Sequence, residues 1–417
     1  MSVFQSSPVS GEHRSVLVVG AGPVGLAAAL ALRAREVPVT VLEAEAKMGR
    51  SIGSRAIYIH RSSLELLEGL RPGLGRTLAD AGLVWATKRT FWRGREVYSR
   101  TYPPLDPEVL PPFSSLPQED IEQLLLDACK NEGVEFVTGT RVNGVEVKPD
   151  GVMLTTEGGV AWEADYVVGA DGARSAVRKG IGATMQGDRS ENWFIVVDIA
   201  DTPDVPSLPI ERHFHYEHPA VDGRHVLIVP FTGGWRVDLQ CRREDDYKEF
   251  SSPDGVKAWL SKVVSPEHAE HVTWVSTYQF LQLVADSLTD EHRRVLLIGE
   301  ACHLFAPFGA RGMNSGIEDA DAAGDAIAGA RSAASPEESH AAVDRFARQR
   351  KRAAQVNRDA ASTALQHMQA RDPVVRARRR LALMLAPRSS RARRWLDEAP
   401  YGPRREETLA AQEGITL

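Results

Sequence analysis

An uncharged run from Val16 to Leu32, VLVVGAGPVGLAAALAL, limits this chain to few architectures. A β-rich segment from Ser15 to Val19 breaks at GAGPVG, and the glycines at 20, 22 and 25 open an alanine-rich helix, LAAALALRARE. After a turn, VPVTVLEA reads as a second strand that ends in Glu43 and Ala44. Gly20 answers the demand for a tight turn, Gly22 lets backbone approach a pyrophosphate, and Gly25 lets helix pack close on strand. Pro23 and Val24 complete the turn between them. Glu43, 23 positions after Gly20, is placed to accept hydrogen bonds from an adenosine ribose. The expectation is a βαβ unit that binds a dinucleotide, with a glycine-rich turn in a plain βαβ unit as the bland alternative.

A second stretch repeats the logic of strand, acid, glycine loop and helix start. In VLLIGEACHLFAPFGARGMNSGIEDADAAGD, from Val295 to Asp325, VLLIG reads as a buried strand with Glu300 at its carboxyl end. A loop around Pro307 follows, and then a helix. The peptide N–H groups of Gly312, Met313 and Asn314 are expected to be unpaired at that helix start, where the macrodipole is positive. They suit a ligand that carries or develops negative charge, as a reduced flavin does, with an ordinary αβ loop that merely contains three glycines as the bland alternative. Between these anchors lies ADYVVGADGARSAVRKGIG, a strand ending in Asp171 and Gly172 and followed by Arg174, Arg178 and Lys179. An acid at a strand end can hold sugar hydroxyls, and nearby arginines can meet phosphate; a capped turn with solvated charges is the bland alternative.

Composition narrows the remaining possibilities. A length of 417 residues with 43% hydrophobic content suffices for more than one subdomain. A net charge of −6 gives no global field favouring nucleic acid. The cysteines at 129, 241 and 302 form neither a disulfide framework nor a metal set. The Val16–Leu32 run is shorter than the roughly 20 residues of a membrane span and holds three glycines and a proline. The polar stretch MSVFQSSPVSGEHR lacks the apolar core of a signal peptide, so the cytoplasm is the expected compartment.

Residues 73 to 113 are rich in Trp, Arg and Pro and read as an excursion from the nucleotide domain. Residues 185 to 290 read as antiparallel strands interrupted by one helix near SPDGVKAWLSKV, a natural lid or floor for a substrate pocket. His213, His215, Tyr216, Trp235, Arg236 and Tyr278 lie on strands able to face such a pocket, where a His or Tyr can help move a substrate's proton. For each of them, a surface or core role is the competing reading. The region beyond 335 reads as helical, with Val374, Val375, Leu381 and Leu385 expected to pack and the interleaved arginines to face solvent.

GAGPVG with Glu43, GADGARSAVR, and IGEACHLFAPFGARGMNSGIEDA, in this order, resemble the FAD-dependent aromatic hydroxylases typified by para-hydroxybenzoate hydroxylase and phenol hydroxylase. The resemblance covers about residues 15 to 330. It implies an α/β chain with a Rossmann-like FAD-binding domain of the glutathione-reductase type, an inserted, mostly antiparallel β substrate domain, and C-terminal helices. The FAD-binding domain is expected over 1–72, 114–184 and 291–335, the substrate domain over 73–113 and 185–290, and the helical region over 336–417.

The resemblance also implies roles for individual residues. Gly20, Gly22, Pro23, Val24, Gly25, Glu43 and Ala44 are expected to bind the ADP half of FAD, and Asp171 and Gly172 to serve FAD and a transient NAD(P)H. Glu300 falls at the ribityl chain, while Pro307, Gly312, Met313 and Asn314 face the isoalloxazine. Arg55 and Gln118 match the flavin-contacting arginine and the glutamine of the LPQ segment. Arg55 and Pro307 shape the flavin environment, with no certain acid or base. This chain departs from the family in carrying Glu300 where Asp is usual, Arg311 where Gln is common, and Tyr58 where a small residue is common.

The implied chemistry is reduction of the flavin by NAD(P)H, addition of O2 at C4a, and delivery of oxygen from the hydroperoxide to a small phenolic ring. With one GxGxxG, the nicotinamide visits without a domain of its own. No metal, nucleic acid or membrane partner is expected, and a homodimer is left open. The alternatives are another oxygenase on this fold (an epoxidase, Baeyer–Villiger enzyme or halogenase) and a non-catalytic flavin or small-molecule binder.

Overall fold

The computed structural model describes residues 9–10, 13–48, 56–190 and 192–402. At its centre, strand Arg14–Val19 lies between Thr40–Leu42 and Val160–Gly169, all parallel, with Glu135–Val137 beyond Thr40–Leu42. Val295–Leu297 joins the carboxyl half of Val160–Gly169, also in parallel. A strand covered on both faces reads as an unbroken apolar run, which is why Val16, Leu17 and Val18 are fully buried. The antiparallel strands Val142–Lys148 and Gly151–Thr156 extend the sheet to eight strands.

Two helices sandwich the glycine-turn helix Pro23–Arg33. Its alanines allow Arg311–Ser332 to approach so closely that a Cβ on Gly324 would stand 3.0 Å from the Ala31 methyl. On the other side Gln118–Asn131 packs against it, and the Cys129 thiol donates to Leu26 O at 3.3 Å.

The second sheet has seven strands in the order Val272–Tyr278, Phe194–Ala200, Gly234–Gln240, Arg224–Phe231, Glu211–His218, Thr87–Trp92 and Arg95–Thr101. The excursion over 73–113 thus supplies a helix, Leu74–Ala81, and a hairpin that pairs in parallel with Glu211–His218. Side chains alternate between the faces of a strand. Ile195, Val197 and Ile199 therefore share one face with Val226, Ile228, Trp235, Val237 and Leu239, beneath helix Pro253–Val263. The other face of the sheet looks into a large cavity.

Helix Pro336–Gln369 runs along Arg311–Ser332, after which Pro373–Leu385 and Ser390–Glu398 turn back over that cavity. The Pro373–Leu385 helix packs differently from the sequence expectation. Val374, Leu381 and Leu385 are exposed, whereas Arg379 is buried and donates to the carbonyls of His367 and Met368 at 2.9 Å. These are the free carbonyls at the end of the preceding helix, and an arginine satisfies them as no leucine can. Among the described residues no helix is long and apolar enough to cross a membrane.

Candidate active site

The three sequence anchors converge. A Cβ on Gly20 would stand 2.6 Å from Ala170 O and 3.2 Å from the Asp171 Cα, which puts the first two motifs edge to edge. Val24, one residue into the first helix, nests against glycines of the third motif. A Cβ on Gly299 would meet it at 3.0 Å, and one on Gly316 at 2.4 Å. Gly20 itself sits at φ +104, a conformation that favours glycine, and its N–H donates to Leu42 O at 2.8 Å.

Within this cradle, empty space lies where a cofactor needs it. A Cβ on Gly22 would meet no atom within 4 Å, whereas one on Gly25 would lie 2.0 Å from Gly20 O. The two glycines thus serve different ends, one an open approach and the other tight packing. The helix begun by Pro23 has no side-chain cap. The helix begun by Arg311 has none either, and a Cβ on Gly312 would also meet open space. Two uncapped helix starts, each with a glycine opening beside it, fit the pyrophosphate and the flavin edge of a dinucleotide.

The side chains expected to touch the cofactor are largely engaged within the protein. Glu43 accepts from the N–H groups of Ala21 and Glu45 at 2.7 and 2.8 Å, which fixes its carboxylate at the strand end beside the glycine turn; Ala44 adjoins it. Asp171 accepts from Ser175 Oγ at 2.5 Å and from the N–H groups of Ala176 and Val177 at 2.7 and 3.1 Å. Arg178 is buried and donates to Ala301 O and Ala173 O at 2.9 and 3.0 Å, so it staples the second motif to the third and does not reach outward for phosphate. Gly172 stands at φ +75 with open space beside it.

Gln118 accepts from Ala56 N–H at 3.0 Å and donates to Glu122 at 2.8 Å. Asn314 accepts from His60 N–H and Ser63 Oγ at 2.8 and 2.7 Å and donates to Tyr58 O and Ala310 O at 3.1 and 2.7 Å. It locks the segment before helix Arg61–Leu70 onto the helix start. Met313 is partly buried against the core, and Glu300 lies on the surface at the end of its strand. Arg55 lies outside the described residues.

Behind the helix start is a charged knot that sequence reasoning missed. Asp319 accepts from His303 Nε2 at 2.6 Å, Arg350 Nε at 2.5 Å and Gly299 N–H at 3.1 Å. Burial opposes its ionisation, but Arg350 and His303 outweigh it and bring the carboxyl down to about 2. Cys302, His303 and Asp319 could be taken for metal ligands. The guanidinium of Arg350 already occupies the carboxylate, so this trio is a poor cation site.

The cavity in front of the Pro307–Arg311 loop has a volume of about 1530 Å3. Pro307, Phe308 and Arg311 form one end of it; Tyr58, Trp85, Phe113, Phe194 and Phe280 line it with rings. Trp85 Nε1 donates to Tyr58 OH at 2.5 Å, and burial raises that phenol well above its ordinary value. Trp395, Pro400 and Tyr401 contribute from the C-terminal segment, which an ion pair between Lys88 and Asp397 anchors to the sheet. Arg311 joins the two ends of the cavity by donating to Asn357 and to Tyr401 O at 3.0 and 3.1 Å. All three cysteines are buried; desolvation pushes the Cys129 and Cys241 thiols up to about 12 and Cys302 well above its usual range.

None of the six suggested substrate residues lines this cavity. His213, His215 and Trp235 have the wrong parity. The two histidines flank Phe91, His215 stacking on it at 4.4 Å, and Trp235 joins the core under the covering helix. Tyr216 has the right parity but is fully buried, its OH 2.6 Å from His367 Nε2. Tyr278 packs beside Phe280 at the sheet edge, and Arg236 is held by Asp198 at 2.8 Å. The wall is instead made of the alternate positions: Arg212 and Phe214, His225, Leu227 and Val229, and Asp238 and Gln240. One signal for this was present in WRVDLQ, where Trp235, Val237 and Leu239 form the apolar set and Asp238 and Gln240 the polar one.

Three motifs around two open helix starts, with one start beside an aromatic cavity, define a dinucleotide-binding fold. The chain belongs to the family described as FAD binding domain, whose model matches residues 13–377, and FAD is the cofactor that the cradle fits. It is 30% identical over 321 residues to a rifampicin monooxygenase of Streptomyces venezuelae, covering 73% of this chain and 62% of that protein. It is 31% identical over 328 residues to an anhydrotetracycline monooxygenase of Streptomyces rimosus, covering 73% and 60%. The chain thus spans about six-tenths of the length of these curated relatives. The crystal structure of p-nitrophenol 4-monooxygenase from Pseudomonas putida shares the fold, with a TM-score of 0.75 at 22% identity over 94% of this chain and 100% of that one.

Proposed function

We propose that this chain is an FAD-dependent monooxygenase that hydroxylates an aromatic compound at the expense of NAD(P)H and O2. The balance is one ring C–H, O2, NAD(P)H and a proton giving one ring C–OH, water and NAD(P)+. The observation that carries this reading is the shared wall: the loop Pro307–Arg311, which leads into the open helix start, also closes one end of the aromatic cavity. Bound FAD would supply the redox chemistry and the activation of O2. It would be held by Gly20, Gly22, Gly25 and Glu43 at its nucleotide end, by Asp171, Gly172 and Glu300 along its middle, and by Gly312, Met313 and Asn314 at its ring.

The chain's own contribution is placement and charge. Amide dipoles at Gly312 stabilise negative charge on the ring edge. The aromatic walls, closed by the C-terminal segment, exclude water from the reacting atoms. In this reading the cofactor unit comprises 1–72, 114–184 and 291–335, and the substrate unit 73–113 and 185–290. Recognition of the substrate passes from the six residues suggested by sequence to the cavity face of strands Glu211–His218, Arg224–Phe231 and Gly234–Gln240.

The test is to load purified protein with FAD and follow NAD(P)H oxidation with and without a panel of phenols. Products are then weighed for the gain of one oxygen atom. Stimulation with a one-oxygen gain supports hydroxylation. FAD binding without any stimulated turnover would favour the second reading, a flavin-containing binder, for which the departure at Glu300 is the motivation.

A further inference from the structure

Strand Glu211–His218 turns Arg212 and Phe214 towards the cavity, and Arg212 lies opposite Lys88 of strand Thr87–Trp92 in the parallel register. Two cations therefore stand side by side on one wall, each 7% exposed. Lys88 is answered by Asp397, which also accepts from Arg100 at 3.2 Å. Arg212 is not answered. Among the described residues its guanidinium makes no hydrogen bond and no ion pair, and it rests against the rings of Phe214 and Tyr401, 5.7 and 5.0 Å from their centroids. Its nitrogens are not sealed in the wall: they retain accessible surface, and the space that Arg212 borders is the cavity.

Ring faces offset part of the cost of burying a charge, but they supply no acceptor for the five N–H donors of a guanidinium. A buried cation without a counter-ion is costly, the more so beside a second cation. Asp238, on the same face of the sheet, stands two strands away across Leu227 and does not pair with Arg212. Burial, against the pull of Arg236, lifts its carboxyl to about 7, so it is a poor counter-ion as well. We propose that Arg212 anchors a carboxylate on the aromatic substrate, so that this site takes aryl acids in preference to their uncharged counterparts. A planar carboxylate meets the guanidinium fork with two parallel hydrogen bonds, which a lysine ammonium cannot offer. Tyr401 ties this anchor to the other end of the site. Its ring lies against Arg212 while its carbonyl accepts from Arg311 at the helix start, so a single residue connects the anchor to the place proposed for the flavin ring.

The inference takes its ligand from the proposed oxygenase reading, and its test is separable from that reading. FAD-loaded wild type and the variants Arg212→Met and Arg212→Lys are titrated by calorimetry with 3-hydroxybenzoate and 2-naphthoate and with the amide of each, and FAD content and Tm are read in the same samples. The wild type is expected to bind at least one acid about tenfold or more tighter than its amide. Arg212→Met should lose that preference and leave the amide unchanged, while Arg212→Lys keeps part of it. FAD content should not change, and the Tm of Arg212→Met should hold or rise because an unpaired buried charge has gone. An arginine that merely props Tyr401 gives the opposite result: a lower Tm in Arg212→Met and no preference for acid over amide in the wild type. That result, a wild type that binds neither acid, a preference that survives in Arg212→Met, or loss of FAD from the variants overturns the proposal. A wild type that takes up no FAD yet shows an acid preference dependent on Arg212 overturns the oxygenase reading and leaves the anchor standing.

Discussion

Gly22 and Gly25 stand three residues apart in one motif, yet they predict different failures. Gly22→Ala puts a methyl into open space at an extended backbone, φ −69, that any residue adopts. The variant is expected to unfold at the wild-type temperature and to bind FAD about tenfold or more weakly, since the methyl takes the room needed for the pyrophosphate. Gly25→Ala drives its methyl to 2.0 Å from Gly20 O and is expected to lose about 2 kcal/mol of stability. Urea unfolding and FAD titration together separate the two; matching behaviour would refute the assignment. These glycines were legible in sequence because their use depends on backbone alone. Gln118, Asp171 and Asn314 were legible only as positions. A polar side chain that braces a loop and one that touches a ligand are spelled alike, and only the hydrogen-bond partners distinguish them.

At the level of strands and helices, one parity decision misdirected the substrate assignment. Sequence located the strands Glu211–His218 and Gly234–Gln240 but did not say which face meets the cavity. A strand read one residue out of phase exchanges all its side chains between faces. The C-terminal helices were visible as helices, but their docking was not. Asp397, buried beside Lys88 and 3.2 Å from Arg100, fastens helix Ser390–Glu398 to the second sheet and so closes one side of the cavity. Asp397→Ala leaves the Lys88 ammonium buried and unpaired and is expected to cost about 3 kcal/mol. In FAD-loaded enzyme it should also raise the H2O2 released per NAD(P)H consumed, because water then reaches the reacting atoms. A variant as well coupled as the wild type would show that this helix is no part of the seal.

Across the whole molecule, the order of the three motifs predicted the parallel sheet and the convergence of its loops, because each motif sits at a strand's carboxyl end. Acid sensitivity was not predictable, since it depends on which histidines are buried by distant segments. His367 and His225 lie within the cavity wall; desolvation, and after it Arg379, lowers His367 from 6.5 to about 3 and His225 well below 6.5. The unfolded chain therefore takes up protons first as pH falls. Stability is complete above pH 6.5 and declines below it, by up to about 1.4 kcal/mol per pH unit for each ring. The urea midpoint should fall between about pH 7.5 and about pH 5.5; a midpoint that stays put would mean these rings protonate freely in the folded state.

On the proposed oxygenase reading, peroxide that escapes the flavin would meet the protein's own interior first. The sulfur chemistry would survive this, because all three thiols are shut away and kept protonated, and the protonated thiol is the form that resists oxidation. A disulfide colour reagent should find no reactive thiol in the native protein and three after denaturation in urea. By the same logic, long exposure to dilute peroxide should leave all three sulfurs unmodified.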